Sequence, residues 1–253
     1  DENLVVVAGT NKDEMNFLYV RSNYFYNSTG GVVLRLQRSE ENLKSWIKYR
    51  SDIWRYDGAE EPLRRMANTN SNLYAYRFDW DEQNNSSFAG NYQLFVGAAH
   101  GLEIPFLTGD FDLGPITFYI KPFMFPDDSD ESRLALSDLM MAYWANIAKY
   151  GNPNEFVKGP KWEKFTQENN QLLILDNPTA NLVEMRTIPV SKDDLLSQIE
   201  ADSALEIKER CLIGWIAARN FQEDARPQPP FNFCSNFTEE DLYKLRNLTE
   251  GRD

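Results

Sequence analysis

Short, strongly apolar runs alternate along the chain with longer polar stretches, some continuous like strands and one long stretch spaced like a helix. "NLVVVAG" (residues 3–9) is continuous, β-branched and closed by Gly9, the pattern of a strand buried on both faces of a parallel sheet. "NLYAYRFDW" (72–80) is the second strand, rich in aromatics and followed by the polar loop "DEQNNSSFAGN". From about Met15 to Trp54 the pattern is mostly helical, with a break at Gly30-Gly31 and loosely spaced Leu43, Ile47, Ile53 and Trp54. Residues 131–150 form the strongest helix, with Leu136, Met140, Tyr143 and Ile147 on one face, joined by Leu139 and Trp144. Gly151, Asn152 and Pro153 then stop it. "QLLILD" (171–176) and "NLVEMRTI" (181–188) flank an Asn-Pro turn and read as a hairpin. A last helix runs from near Lys192 to Trp215, and the Pro-rich "QEDARPQPPFNFCSNF" reads as a surface extension or linker. Strands followed by helical sequence predict an α/β sheet, whose chemistry lies in the polar turns after its strands.

Composition narrows the function. With 42% hydrophobic and 13% aromatic residues, 253 residues suffice for a sizeable core. The net charge of −13 repels nucleic acid and anionic membrane, so neither is an expected partner. Acidic clusters such as "DDSDE" (127–131) read as solvated surface. No apolar run approaches the roughly 20 residues a membrane span needs. The chain opens "DENLVVVAGTN", polar residues directly before a core-like strand, so we expect an N-terminal part, with any targeting signal, to precede it. Cys211 and Cys234 permit one disulfide, whose formation the spacing leaves open. One histidine and two cysteines provide no metal-ligand constellation, and no cofactor is implied. Asn-x-Ser/Thr sequons occur at Asn27, at overlapping Asn84 and Asn85, at Asn236 and at Asn247.

The candidate chemistry sits after the two strands. The first runs into "GTNKDEMNF", which places Asp13 and Glu14 just past it; the second leads, after a loop, to "VGAAHGLEIPF" and the single histidine, His100. An imidazole removes a proton from a hydroxyl and returns it to a leaving group, while a carboxylate fixes its tautomer. A carboxylate after one strand and a histidine after the next follows the order of α/β-hydrolase triads. A lone histidine in a glycine-rich turn is also compatible with a capping or core role.

"VVVAGTNKDEMNF", "LYAYRFDW", "GAAHGLEIPFLTG", "YWANIAKYGNPN", "WEKF" and "LLILD" together resemble the C-terminal half of type-B carboxylesterases, the cholinesterase and carboxylesterase branch of the α/β-hydrolases. The resemblance runs in order over residues 3–215. It implies an α/β fold with a mostly parallel central sheet flanked by helices. Residues 1–253 would be the C-terminal part of a single catalytic domain, about 1–215 its family-like core and 216–253 a C-terminal extension. Glu14 matches the triad acid and His100 the triad base. Glu103 reads as a cap or brace of the histidine turn; Phe106 and Leu107 either line the acyl or alcohol pocket or pack in the core. The family usually has glycine after the acid, where this chain has Met15.

No G-x-S-x-G elbow and no His-preceded Gly-Gly oxyanion loop occurs in the chain. The resemblance therefore implies a serine esterase acting on small-molecule carboxylic esters, its nucleophile supplied by an N-terminal segment or chain of the same esterase. Alone, this chain is expected to be inactive. The alternative is a non-catalytic, cholinesterase-like adhesion protein. Exported relatives favour a secreted or periplasmic location over a cytoplasmic one.

Overall fold

The computed structural model describes residues 4–29, 33–83, 85–86, 90–112, 114, 117–188, 191–220 and 230–252. The Gly30-Gly31 break, the Asn84 sequon and residues 222–229 of the Pro-rich stretch lie outside the described residues. In chain order the elements are β1 (Val6–Asn11), α1 (Asn16–Val20), β2 (Tyr26–Thr29), β3 (Val33–Leu36), α2 (Glu40–Arg55), α3 (Glu61–Met66), β4 (Leu73–Phe78), β5 (Asn85–Ser86) and β6 (Gly90–Asn91). There follow α4 (Tyr92–Phe95), α5 (Glu103–Thr108), α6 (Thr117–Met124), α7 (Asp130–Tyr150), β7 (Gln171–Leu175), β8 (Glu184–Thr187), α8 (Lys192–Ala201), α9 (Ile207–Asn220) and α10 (Glu239–Thr249). They group into two compact units, Asp1–Glu14 with Gly58–Ile188, and Met15–Asp57 with Pro189–Asp253.

The first unit is built on a sheet of order β1-β4-β7-β8. β1 pairs parallel with β4 from Val6↔Leu73 to Asn11↔Phe78, β4 pairs parallel with β7, and β8 returns antiparallel to β7 as the expected hairpin. The period-2 side-chain rule sorts the strands onto two faces. Leu73 and Ala75 of β4, with Leu172 and Ile174 of β7, pack with Leu63 of α3 and Phe165. Tyr74 and Phe78, with Leu173 and Leu175, pack against Leu136, Met140 and Tyr143 of α7. The α7 stripe read from the sequence is thus the stripe that covers the sheet, and each fully buried large side chain there contributes about 1.5–3 kcal/mol. Gly151 ends α7 in the left-handed region, φ 66°, its N–H donating to the Ile147 carbonyl.

β1 departs from the expectation of full burial. Val6 to Gly9 are only half-buried, because β1 is the edge strand of the described sheet; burial becomes complete at Thr10 and Asn11, where the strand enters the site.

The second unit differs more from its sequence reading. The stretch expected to be helical between Met15 and Trp54 contains a β2–β3 hairpin, paired Tyr26↔Leu36 to Thr29↔Val33. The expected last helix is two helices, α8 and α9, separated at 202–206. Beyond the Pro-rich stretch, where no element was expected, the chain forms α10, which a Thr238–Asp241 capping box begins. Tyr19, Phe25 and Trp46 form an aromatic nucleus. The disulfide that the sequence left open is present: Cys211 of α9 is bonded to Cys234, Cα to Cα 5.6 Å. Closing this loop contributes about 3 kcal/mol.

Candidate active site

Two turns meet at the carboxyl ends of β1 and β4. The first follows β1: at its last residue, the Asn11 backbone N–H donates to Glu14 Oε1 at 2.8 Å, curling the chain so that the Glu14 side chain turns back over the strand end. Met15 beyond it has φ −87°, ordinary right-handed backbone, so the turn accommodates a methionine where the resemblance has glycine. The second turn, 96–102, joins α4 to α5. Gly97 (φ 52°) and Gly101 (φ 82°) bracket His100 in left-handed backbone, which a β-carbon would strain; this is why the imidazole sits between glycines.

The turns are joined by a set of hydrogen bonds. Glu14 Oε2 lies 2.7 Å from His100 Nδ1. The Asp13 N–H donates to the Ala98 carbonyl and the Ala98 N–H returns to Asp13 Oδ2, each at 3.0 Å. Asn11 Nδ2 donates to the Ala99 carbonyl at 2.6 Å and to Glu103 Oε2 at 2.5 Å. From the exit of β4, Gln83 Nε2 donates to the Gly97 carbonyl at 3.0 Å. Farther along, Ser137 Oγ of α7 donates to the Phe106 carbonyl at 2.8 Å, fixing α5.

Acid and base have opposite exposure: the Glu14 side chain is 5% exposed and that of His100 66%. A carboxylate only accepts, so His100 Nδ1 carries the shared proton, and in the neutral ring Nε2 then holds the lone pair a base needs. Burial raises the Glu14 carboxyl above its ordinary value of 4.5, opposed by the Asn11 N–H and by the hydrogen bond and charge of His100, and reinforced by the charge of Glu103. Burial likewise raises Asp13, opposed by Lys12, which pairs with Asp81 at 2.5 Å.

The structure thus brings together Glu14, His100 and Glu103, and places the other two candidates behind them. Phe106 is fully buried, ring to ring with Phe78, Trp80, Phe111 and Phe125, and Leu107 packs partly buried against the same cluster. Sequence reading did not single out Asn11 or Gln83. Asn11 stood in view within "GTNKDEMNF", but its partners lie 88 and 92 positions away. Among the described residues no helix is long and apolar enough to cross a membrane.

A solved PNB esterase superposes with a TM-score of 0.50 at 20% identity, over 74% of this chain and 37% of that one, which shows the α/β-hydrolase fold. The model of the Carboxylesterase family matches residues 15–192, more than half of the sequence, and the chain belongs to this family. It is 33% identical over 159 residues to carboxylesterase 5A of Felis catus (62% of this chain, 25% of that protein). To bile salt-activated lipase of Homo sapiens it is 31% identical over 140 residues (53% and 16%). To acetylcholinesterase of Gallus gallus it is 32% identical over 103 residues (41% and 11%). The chain thus spans a quarter or less of the length of these relatives. His100 falls inside the family match and Glu14 one residue before it, so the Glu14–His100 contact is an observation separate from that match.

Proposed function

We propose that this chain supplies the general base and its orienting acid to a serine carboxylic-ester hydrolase. The observation that carries the reading is the 2.7 Å Glu14–His100 bond, which joins two turns 86 positions apart with the acid buried and the base exposed. A serine hydroxyl attacks the ester carbonyl as His100 Nε2 takes its proton. Glu14 stabilises the imidazolium that results, which then protonates the departing alkoxide; water repeats the cycle on the acyl-enzyme. The nucleophile and the oxyanion donors come from a segment N-terminal to Asp1, because the sequence holds no G-x-S-x-G elbow. On this reading residues 1–253 are the C-terminal part of one catalytic domain, 216–253 being its extension, and the substrates are small carboxylic esters. The Cys211–Cys234 disulfide supports an oxidising, secreted or periplasmic location.

The test is hydrolysis of a short p-nitrophenyl ester by the protein carrying its serine-bearing segment. We expect turnover, and in His100→Ala a fall in kcat of at least about a thousandfold. A complete protein that leaves the ester intact favours the non-catalytic, adhesion-type alternative. So does a His100→Ala variant that hydrolyses it unchanged.

A further inference from the structure

We infer that Asn11 is a positioning residue for His100, holding the acid turn and the histidine turn in the one relation that lets Glu14 reach Nδ1. This rests on the esterase reading above and extends it to a residue that touches neither substrate nor nucleophile.

Asn11 ends β1, is 3% exposed and makes its bonds in two directions. Its backbone N–H holds Glu14 Oε1, which orients the acid. Its side-chain amide has two N–H donors, and both reach the other turn: one to the Ala99 carbonyl immediately before His100, the other to the Glu103 carboxylate three residues after it. Both partners are acceptors, so the amide orientation is dictated by chemistry, and only an amide with two donors serves both from this place. Two other ties on the histidine turn lie before the imidazole. Asp13 grips Ala98, and Gln83 grips Gly97, both on the upstream side. Asn11 alone among these reaches past His100, to the first turn of α5.

The amide also manages charge. Glu103 contributes negative potential at Glu14, and the Asn11 donor is the hydrogen bond set against that carboxylate. Removing the donor does two things: it frees the downstream half of the turn, and it leaves the Glu103 carboxylate without that hydrogen bond beside the acid. Each loosens the Glu14–His100 hydrogen bond that selects the Nδ1–H tautomer. Outer hydrogen-bond partners of metal-bound histidines shift affinity or activity by about 10–100-fold, and a similar range is expected here.

The experiment uses imidazole-15N-labelled protein with its serine-bearing segment, the His100 signals being assigned by their loss in His100→Gln. Nitrogen chemical shifts of the neutral ring report which nitrogen carries the proton. The parent is expected to hold mainly the Nδ1–H form. Asn11→Ala is expected to shift it toward Nε2–H, with kcat lowered about 10–100-fold and KM changed much less. Asn11→Asp, which keeps the shape but loses both donors and adds charge, shifts it further. If alanine at this buried position prevents folding, Glu103→Ala removes only the downstream anchor from a less buried place and is expected to give a smaller shift in the same direction. A purely structural amide would lower the unfolding midpoint and leave the tautomer alone. An unchanged tautomer in folded Asn11→Asp and Glu103→Ala, or an Nε2–H parent, overturns the inference. Parent protein that does not hydrolyse esters overturns the esterase reading only, since the nitrogen shifts still decide on Asn11.

Discussion

Two buried carboxylates, one in each unit, respond to burial in opposite ways. Glu14 faces an imidazole and a backbone N–H, and burial carries its carboxyl above the ordinary value. Glu250, at the end of α10, is buried as well, but Arg50 at 3.1 Å and Arg246 at 3.0 Å outweigh that desolvation and hold it below its ordinary value. The difference is one of partners. Glu250 meets permanent cations and serves to join α2 to α10. Glu14 meets an imidazole and a backbone N–H instead, which do not offset its burial. A carboxylate left under-compensated beside a titratable ring is suited to stabilising a transient cation; one fully compensated by arginines is suited to holding helices.

Breaking each pair from its cationic side separates them most widely. Arg50→Met leaves Glu250 buried with a diminished set of partners. It is expected to lower the stability of the second unit by about 3 kcal/mol in urea unfolding near neutral pH, with ester hydrolysis at the parent rate in native conditions. His100→Ala removes a largely exposed ring, and its effect on unfolding stays within about 1 kcal/mol even as turnover disappears. Equal destabilisation by the two substitutions would remove the distinction between a helix-joining carboxylate and one proposed to serve catalysis.

The extent to which this was legible from sequence follows the range of the interactions involved. The strands of the first unit declare themselves as short apolar runs, since side chains pack on both sheet faces, and α7 through its 3.6-residue stripe. Gly97 and Gly101 announce a tight turn around His100 because only glycine takes their backbone angles cheaply. The hairpin at 26–36 was lost in the aromatic run "NYFYNSTGGVVLRL", where local pattern favours neither period and pairing decides. α10 carries few apolar residues and was passed over, although its Thr238-x-x-Asp241 box is a readable start signal. The disulfide and the Asn11 bonds are contacts between distant positions, and spacing alone does not encode them.

The smallest effect is a difference in sign. A carboxyl raised in the folded protein binds its proton more tightly there than in the unfolded chain, so its contribution is present at low pH and lost as pH rises through the folded value. A lowered carboxyl contributes above the unfolded value and loses that contribution as pH falls. Ionising Glu14 between pH 4.5 and neutrality therefore costs stability, whereas ionising Glu250 adds it. Glu14→Gln keeps the shape and an acceptor for the Asn11 N–H but carries no charge. It is expected to raise stability at neutral pH by about 0.5–1 kcal/mol while lowering hydrolysis, the trade-off seen where a site is held in a strained environment. Urea midpoints for Glu14→Gln should climb more steeply than the parent's from acid to neutral pH, and those for Glu250→Gln should climb less. If Glu14→Gln is the less stable protein at neutrality, the Glu14 carboxylate belongs with Glu250 as a stabilising charge, and the contrast between the two sites fails.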